Sequence, residues 1–344
     1  MPAETVVITG ATAGVGRATA RAFARRRARI GLLARGVDGL KATAAEVQQA
    51  GGEALALPTE IADADAVESA ATAVERQFGP IDIWINCAMA TIFAPVHSIE
   101  PEEFRRATEV TYLGFVYGTM AALRRMRPRN RGTIVQVGSA LAYRAVPLQA
   151  PYCGAKHAIR GFTDSLRSEL EHEHSRVHLT MVQMPALNTP QFDWARNKMP
   201  RRPKPLGTIF QPEVAADAIV FAAHARRREI YVGGPTVEAI IANKLAPGFL
   251  DRVLAHRAVG GQLARAPAPA DRPDNLFAPV AGDHGAHGRF DDRAKGVSAE
   301  LWLAKHRPLL LAGGIGVIGL LAAVFFGGAR AAPRSAAQRP PRWS

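Results

Sequence analysis

The 344-residue chain contains only two cysteines, Cys87 and Cys153, and no CxxC motif or Cys/His cluster. Two cysteines cannot form a disulfide framework, and without such a cluster no metal site is predicted. The sequence opens MPAETVVITG, which lacks the basic start and apolar run of a secretory signal. We therefore expect the folded part of the chain to lie in a reducing, cytosolic compartment.

Acidic residues are also scarce. Thirty Asp and Glu stand against 43 Lys and Arg, which gives a formal net charge of +13. Such an excess favours either nucleic acid or an anionic membrane surface as a partner. The sequence lacks a helix-turn-helix, a zinc finger and an aromatic RNA-binding signature, so nucleic-acid binding is not expected. The membrane surface is the better supported alternative.

What the sequence does contain, over residues 1–257, is an alternation of short apolar runs with longer amphipathic stretches. The apolar runs are Val6–Thr9, Ile30–Leu33, Ile81–Ile85, Thr133–Val137, Val177–Val182 and Ile230–Val232. The helical patterns between them are Arg17–Arg27, Ala64–Phe78, Pro101–Met126, Lys156–His172 and Pro212–Ala225. This alternation predicts an α/β fold, a doubly wound parallel sheet covered by helices on both faces.

Two different segments follow that domain. Residues 258–297 have scattered Pro and Gly, mixed charges and no periodicity, so they are predicted to be a flexible linker. Residues 298–344 include 308–329, which has no charged residue and would rise about 33 Å as a helix, enough to cross a bilayer. We expect a single C-terminal membrane span with a short basic tail. The alternative is a soluble enzyme whose apolar tail mediates oligomerisation.

A glycine-rich segment follows the first apolar run directly. Glycines at this place allow a tight turn and let backbone N–H groups approach a pyrophosphate at a helix N-terminus. Between a predicted strand and a predicted helix, the segment indicates a dinucleotide site. The residues predicted to contact the cofactor here are Gly10, Thr12, Gly14, Val15 and Gly16.

The second predicted strand ends at Arg35, about twenty residues beyond the glycine loop. A site for NAD often has an acidic residue at this point, whereas an arginine can pair with the 2′-phosphate of NADP. NADP(H) is therefore the predicted cofactor, and Arg17 is expected to add to the positive field. The alternative is an arginine in a solvated loop of an arginine-rich protein.

A third cluster combines Ser139, at the end of a predicted strand, with Tyr152 and Lys156. Tyr152 and Lys156 are four residues apart and share one face of a helix. A free tyrosine has a pKa of about 10, and a nearby ammonium group favours the phenolate. Such a tyrosine can exchange a proton with a substrate oxygen while a nicotinamide exchanges hydride, and Ser139 can hydrogen-bond the same oxygen.

In combination, these motifs resemble the short-chain dehydrogenase/reductase family over about residues 4–235. The resemblance implies a Rossmann sheet of about seven parallel strands and Tyr152 as the catalytic acid/base. It implies that Lys156 binds the nicotinamide ribose and lowers the tyrosine pKa, and that Ser139 orients the substrate. Further cofactor contacts that it implies are Glu60, Ile61, Asn86, Ala88, Pro185 and Thr189.

The sequence departs from the family pattern at three places. The Asn-Asn-Ala-Gly motif is replaced by the segment Asn86–Met89, and Glu60 stands in place of the usual Asp. The asparagine of the family's proton relay corresponds to Thr111, which we include in the catalytic set. Threonine offers one hydroxyl instead of an amide. We therefore expect this replacement to affect the rate of the reaction and not the binding of the cofactor.

The segment Gln191–Phe210 falls where the family has its substrate lid, and it mixes apolar and basic residues. One interpretation is a solvated loop, and the other is an apolar gate beside anionic lipid headgroups. We favour a lipophilic carbonyl or alcohol as substrate, with membrane lipid as a partner and the catalytic domain, 1–257, facing the cytoplasm. The family also suggests a homodimer or homotetramer. The alternative function is a non-catalytic, membrane-tethered scaffold or sensor that binds NADP(H).

Overall fold

The computed structural model describes residues 3–269 and 271–306. Seven strands form one parallel sheet: β1 (Thr5–Thr9), β2 (Arg29–Ala34), β3 (Glu53–Pro58), β4 (Ile83–Asn86), β5 (Thr133–Val137), β6 (His178–Gln183) and β7 (Glu229–Tyr231). Their order across the sheet is β7-β6-β5-β4-β1-β2-β3. In the central register, Val6 of β1 lies opposite both Ile30 of β2 and Ile83 of β4. The predicted α/β fold with about seven parallel strands is confirmed.

Helices cover both faces of the sheet. They are α1 (Gly14–Ala24), α2 (Val37–Gln49), α3 (Ala64–Phe78), α4 (Pro101–Thr108), α5 (Gly114–Met126), α6 (Ala150–His172), α7 (Gln191–Trp194), α8 (Pro212–His224), α9 (Gly234–Leu245) and α10 (Pro247–Gly261). Phe23 of α1 and Ile219 of α8 are buried in the core on one face, and Val74 of α3 and Leu166 of α6 in the core on the other. With apolar helices on both faces, all five residues of β1 are buried.

A five-residue π-helix, Glu109–Leu113, separates α4 from α5. The preceding helix begins with Pro101, where the missing N–H costs nothing, and Glu100 and Glu103 cap its first turn reciprocally. A π-turn inserts an extra residue into a helix and is frequent at functional sites. Here it contains Thr111, the position that corresponds to the family's relay asparagine.

The structure differs from the sequence prediction over residues 258–297, which were expected to be a flexible linker. Residues Leu263–Pro267 form a strand antiparallel to Arg201–Pro203, and Leu276 and Phe290 are buried. The first compact unit accordingly extends to Leu301. The prediction was wrong because isolated apolar residues that each fill a separate site on the domain produce no periodicity.

The second unit is Trp302–Ser344, of which the structure describes Trp302 to His306. The aromatic rings of Trp302 and His306 stack with their centroids 4.3 Å apart. Within residues 3–269 and 271–306, no helix combines the length and the apolar character needed to span a bilayer. The predicted span, 308–329, lies outside the described residues.

Candidate active site

A cavity of about 470 Å³ opens where the carboxyl ends of the parallel strands meet. This volume is typical of small-molecule sites, and this edge of the sheet is where open α/β folds bind ligands. The loops after β1, β2, β3, β4, β5 and β6 all contribute to its wall. The glycine loop, Arg35 and the Ser139–Tyr152–Lys156 cluster, predicted separately from sequence, therefore line one cavity.

The glycine loop lies between β1 and α1 and lines the cavity from Gly10 through Gly16, except for Ala11. Gly10 has φ of +70°, and a Cβ there would come within 2.7 Å of the Cα of Ala88. At Gly16, a Cβ would collide with the carbonyl oxygen of Gly10. Both positions require glycine, and the loop leaves the N-terminus of α1 beside the cavity, where backbone N–H groups favour an anion.

Lys156 is buried on α6, and its Nζ donates to the carbonyl oxygen of Val137 at 2.7 Å. Burial lowers the pKa of Lys156 to about 8 because the charged form loses its hydration. The end of β5 therefore fixes the position of this ammonium group. Ser139 follows the same strand, and its Oγ accepts a hydrogen bond from the backbone N–H of Leu141 at 3.1 Å.

Tyr152 lies one helical turn before Lys156, whose Nζ is 5.5 Å from the centre of the tyrosine ring. Burial raises the pKa of Tyr152, and a hydrogen bond with Ser139 acts in the opposite, weaker direction. Desolvation is the largest influence on this pKa, and the lowering by Lys156 that the family resemblance implies stays a prediction. Tyr152 is therefore a protonated phenol at neutral pH, which suits it to act as an acid.

Thr111 is fully buried and is not among the residues that line the cavity. Its hydroxyl accepts from the backbone N–H of Ala90 at 2.9 Å and donates to the Ala90 carbonyl at 2.8 Å. Its neighbour Val110 does line the cavity. The hydroxyl thus holds the segment after β4 against the π-helix, and it is not brought together with Tyr152.

Asn86 was predicted to contact the cofactor, but its side chain points into the core. Its amide accepts from Trp84 Nε1 at 2.9 Å and donates to Thr119 at 3.0 Å and Gln136 at 2.9 Å. Asn86 is absent from the cavity wall, so this prediction is corrected for its side chain. A fully bonded amide avoids the cost of burying a polar group, which explains an asparagine at the end of an apolar strand.

The two residues after Asn86 do reach the cavity, and Ala88 does so as predicted. Thr9 holds this turn, because its hydroxyl accepts from the backbone N–H groups of Cys87 at 2.9 Å and Ala88 at 3.2 Å. Burial raises the pKa of the Cys87 thiol to about 12. Cys87 is therefore a neutral lining group and not a nucleophile at physiological pH.

Arg35, Glu60 and Ile61 line the end of the cavity next to β2 and β3. An oxygen of Glu60 is 3.7 Å from Arg35 and forms a shorter ion pair with Arg106. Burial lowers the pKa of Arg35, with Glu60 opposing and Arg106 reinforcing the effect. Two arginines share one carboxylate, which leaves this end of the cavity with a net positive charge.

Arg17 does not line the cavity, contrary to the expectation that it adds to the field there. Its buried guanidinium forms ion pairs with Glu46 and Asp283. Although burial lowers the pKa of Arg17, these two carboxylates more than compensate and raise it. The positive charge is neutralised inside the protein, so Arg17 has a structural role.

Pro185 and Thr189 line the cavity, as do several residues of the lid segment that follows. Phe192, Ile209 and Phe210 are buried. The basic residues at 196 and 198 both pair with the carboxylate of Glu103, at 2.8 and 2.7 Å, whereas Arg201 and Arg202 are exposed, and the lipid-facing gate stays a prediction. The lid therefore packs as an ordered wall around the cavity.

The sequence analysis missed two parts of the cavity wall. Helices α9 and α10 contribute Thr236, Ala239 and Leu254, and the segment predicted to be a linker contributes Asn275, Pro279, Val280, Gly282 and His284. The latter residues lie in a turn-rich stretch, a pattern that is equally typical of a solvated linker. No signal in the sequence distinguishes the two.

Comparison with known proteins agrees with this geometry. The family model described as short chain dehydrogenase matches residues 4–199. The uncharacterized oxidoreductase YxnA of Bacillus subtilis is 30% identical over 283 residues, covering 82% of this chain and 80% of that protein. The 17-beta-hydroxysteroid dehydrogenase 13 of Mus musculus is 29% identical, covering 78% and 85%.

Among solved structures, a metagenomic short-chain oxidoreductase in complex with NADP aligns with a TM-score of 0.57 and 26% identity. The alignment covers 67% of this chain and 96% of that one. An alcohol dehydrogenase from Thermococcus sibiricus, complexed with 5-hydroxy-NADP, aligns with the same TM-score, 25% identity and coverages of 67% and 95%.

Proposed function

Because the chain belongs to the short-chain dehydrogenase family, we propose that it is an NADP(H)-dependent oxidoreductase that reduces a carbonyl group or oxidises an alcohol. The observation that carries this proposal is the common cavity of the glycine loop, Ser139, Tyr152 and Lys156. Two similar structures were determined with NADP or a derivative of it, which supports the choice of cofactor.

The residues present fit such a cofactor at two places in the cavity, the glycine loop and Arg35. At Gly10 and Gly16 the glycine loop leaves no room for a side chain. A loop without side chains is what lets a pyrophosphate approach the backbone closely. The second place is Arg35, whose guanidinium can bind a 2′-phosphate. The backbone at Gly10, Val15 and Gly16 would hold the diphosphate, and Arg35 the 2′-phosphate. The N–H of Gly14 would join them only after it releases the carbonyl oxygen of Gly285, to which it donates in this structure.

The bound nicotinamide supplies or accepts the hydride, and the chain's own residues manage the proton. In the reducing direction, the phenol of Tyr152 donates its proton to the substrate oxygen as negative charge develops there. The hydroxyl of Ser139 donates a hydrogen bond to the same oxygen and orients the carbonyl. The ammonium of Lys156, fixed by Val137, stabilises the phenolate that results.

The assignment of NADP(H) is tested by Arg35→Ala. A lost charge-assisted hydrogen-bond pair is worth about 1.5–3 kcal/mol, which corresponds to roughly 10- to 100-fold in affinity. We expect that loss for NADPH and little change for NADH in fluorescence titrations. Arg144→Ala is the control, since it removes a cavity arginine that contacts Asn243 and Asp251 instead. Equal loss for both cofactors would overturn the role of Arg35.

A lipophilic substrate is the second part of the proposal. Leu141, Val146, Leu206 and Leu254 contribute apolar surface to the same cavity as the catalytic residues. Burial of each methylene group of a substrate contributes about 0.8 kcal/mol. We therefore expect kcat/KM to rise along a series of aldehydes or ketones of increasing chain length. Equal or better turnover of short polar carbonyls would contradict this.

Attachment to a membrane is the third part, with the catalytic domain on the cytoplasmic side. It rests on the apolar run at 308–329 and on two apolar side chains of α9 and α10, Leu245 and Phe249, which are 80% and 65% exposed. The same helices line the cavity, so a lipid substrate could enter from the bilayer. Fractionation of the full chain against a chain ending at residue 306 tests it, because only the full chain should sediment with membranes.

The non-catalytic scaffold is the competing function, and one observation favours it. The hydroxyl of Thr111 bonds to Ala90 and takes no part in the cavity, so the usual proton relay lacks one member. A scaffold would bind NADPH but turn over no member of the carbonyl series. The expected homodimer or homotetramer is compatible with both functions and stays a prediction.

A further inference from the structure

Residues Asp274–Gly288, which we call the strap, line the cavity together with the glycine loop and Arg35. Five residues of the strap contribute to the wall: Asn275, Pro279, Val280, Gly282 and His284. The family model ends at residue 199, so the strap lies outside the part of the chain that it matches. The strap also follows β7, which is the last strand of the parallel sheet along the chain.

The first half of the strap is fixed at Arg35. The guanidinium of Arg35 donates to the carbonyl oxygens of Asn275 and Phe277, the latter at 3.0 Å. Between them, Leu276 is fully buried, and its carbonyl accepts from Arg106 Nε at 3.1 Å. These carbonyl partners are neutral and orient Arg35. The nearby carboxylate of Glu60, at 3.7 Å, is shared with Arg106, so the two arginines together keep a net positive charge toward an anion.

The second half is fixed at the glycine loop and the start of α2. The carboxylate of Asp283 pairs with the buried guanidinium of Arg17. The backbone N–H of Gly282 donates to Asp38 at 3.2 Å, and that of Gly14 donates to the carbonyl oxygen of Gly285 at 3.3 Å. The strap thus contacts the same loop that would hold the diphosphate.

We propose that the strap is part of the cofactor site: it closes over the adenosine and diphosphate half of NADP(H), orients Arg35 toward the 2′-phosphate, and must open for cofactor to enter or leave. This inference rests on the proposed function. It follows from the cavity wall, which Pro279, Val280 and Gly282 of the strap share with Arg35 and the glycine loop. A ligand that reached from Arg35 to the glycine loop would therefore contact the strap. The strap should therefore control how fast the cofactor exchanges.

Hydrogen exchange of the full chain, with and without saturating NADPH, tests the contact. We expect protection of backbone amides both at Gly10–Gly16 and at Leu276–Gly285. Protection of the glycine loop without protection of the strap would overturn the inference and leave the proposed function standing. Protection of neither segment would mean that NADPH does not bind, which would overturn both.

A variant that releases one end of the strap tests its effect on exchange of the cofactor. Asp283→Asn removes the charge that pairs with Arg17, which keeps its second partner, Glu46. We expect NADPH to dissociate about tenfold faster in stopped-flow displacement. The matched control is Glu173→Gln, an equally exposed carboxylate paired with Arg127 far along the chain. Equal dissociation rates in the two variants, both folded and both binding NADPH, would overturn the proposal.

Discussion

The ammonium nitrogen of Lys156 lies 5.5 Å from the centre of the Tyr152 ring, with Lys156 buried and Tyr152 half-buried at the cavity wall. Burial acts on them in opposite directions, because it penalises the charged form of each. It lowers the pKa of Lys156 to about 8 and raises that of Tyr152. Near neutral pH the pair is therefore an ammonium beside a protonated phenol, the combination that donates a proton to a carbonyl oxygen.

The pH dependence of carbonyl reduction should follow Lys156. Below pH 8 the ammonium is charged and stabilises the phenolate formed at Tyr152, whereas above pH 8 it loses its proton and that stabilisation disappears. We expect kcat/KM, measured at saturating NADPH, to fall as the pH rises from 8 to 10. Lys156→Met has no titrating group at this position and should lack the decline. A decline that persists in Lys156→Met would assign it to another group.

Removal of the phenol hydroxyl should separate chemistry from binding. Tyr152→Phe is expected to lower kcat by about 10²- to 10⁴-fold, the usual contribution of a general acid, with the Kd for NADPH nearly unchanged. Tyr143→Phe is the control, since its hydroxyl donates to Glu229 at 2.6 Å and Tyr143 does not line the cavity. Its kcat should stay within a few-fold of the parent. Unchanged turnover in Tyr152→Phe would mean that another group transfers the proton.

The parts of the site that the sequence predicts are those fixed by local geometry. Tyr152 and Lys156 share a face because a helix repeats every 3.6 residues, and Ser139 joins them because parallel strands end at one edge. The role of Asn86 depends instead on Thr119 and Gln136, two partners distant in the chain that only the fold brings beside it, together with Trp84 on its own strand. Sequence spacing alone does not contain that information.

The strap was missed for a related reason. Its contacts with the domain are mostly made by backbone carbonyl and N–H groups, such as those of Phe277 and Gly282, which every residue type has. Its two buried apolar side chains, Leu276 and Ala286, are ten residues apart and form no periodic pattern. Composition therefore predicts a flexible linker where the tertiary hydrogen bonds hold an ordered segment.

Thr111 is expected to matter for stability more than its position outside the cavity suggests. Thr111→Val keeps the shape but leaves the N–H and carbonyl of Ala90 without this partner, at a cost of about 1–3 kcal/mol in the free energy of unfolding. Thr163→Val is the matched control, because that buried hydroxyl donates only to Ile159 within its own helix. Urea denaturation should show a clearly larger loss in the free energy of unfolding for Thr111→Val than for Thr163→Val. Equal losses at the two positions would contradict the bridging role of Thr111.

Gly118, on the inner face of α5, tests whether the amide of Asn86 is a rigid part of the core. A Cβ at this position would collide with Asn86 Oδ1 and come within 2.8 Å of Trp84 Nε1. Glycine to alanine normally stabilises a helix by about 0.5–1 kcal/mol, and we expect that gain for Gly161→Ala on α6, where a Cβ meets nothing within 4 Å.

For Gly118→Ala we expect the opposite sign, a loss of about 1–3 kcal/mol in the free energy of unfolding, because the amide cannot move without breaking its bonds to Thr119 and Gln136. Urea denaturation of both alanine variants against the parent measures the two changes. A gain at both positions would mean that the Asn86 side chain relocates freely, and its earlier assignment to the cofactor site would then regain support.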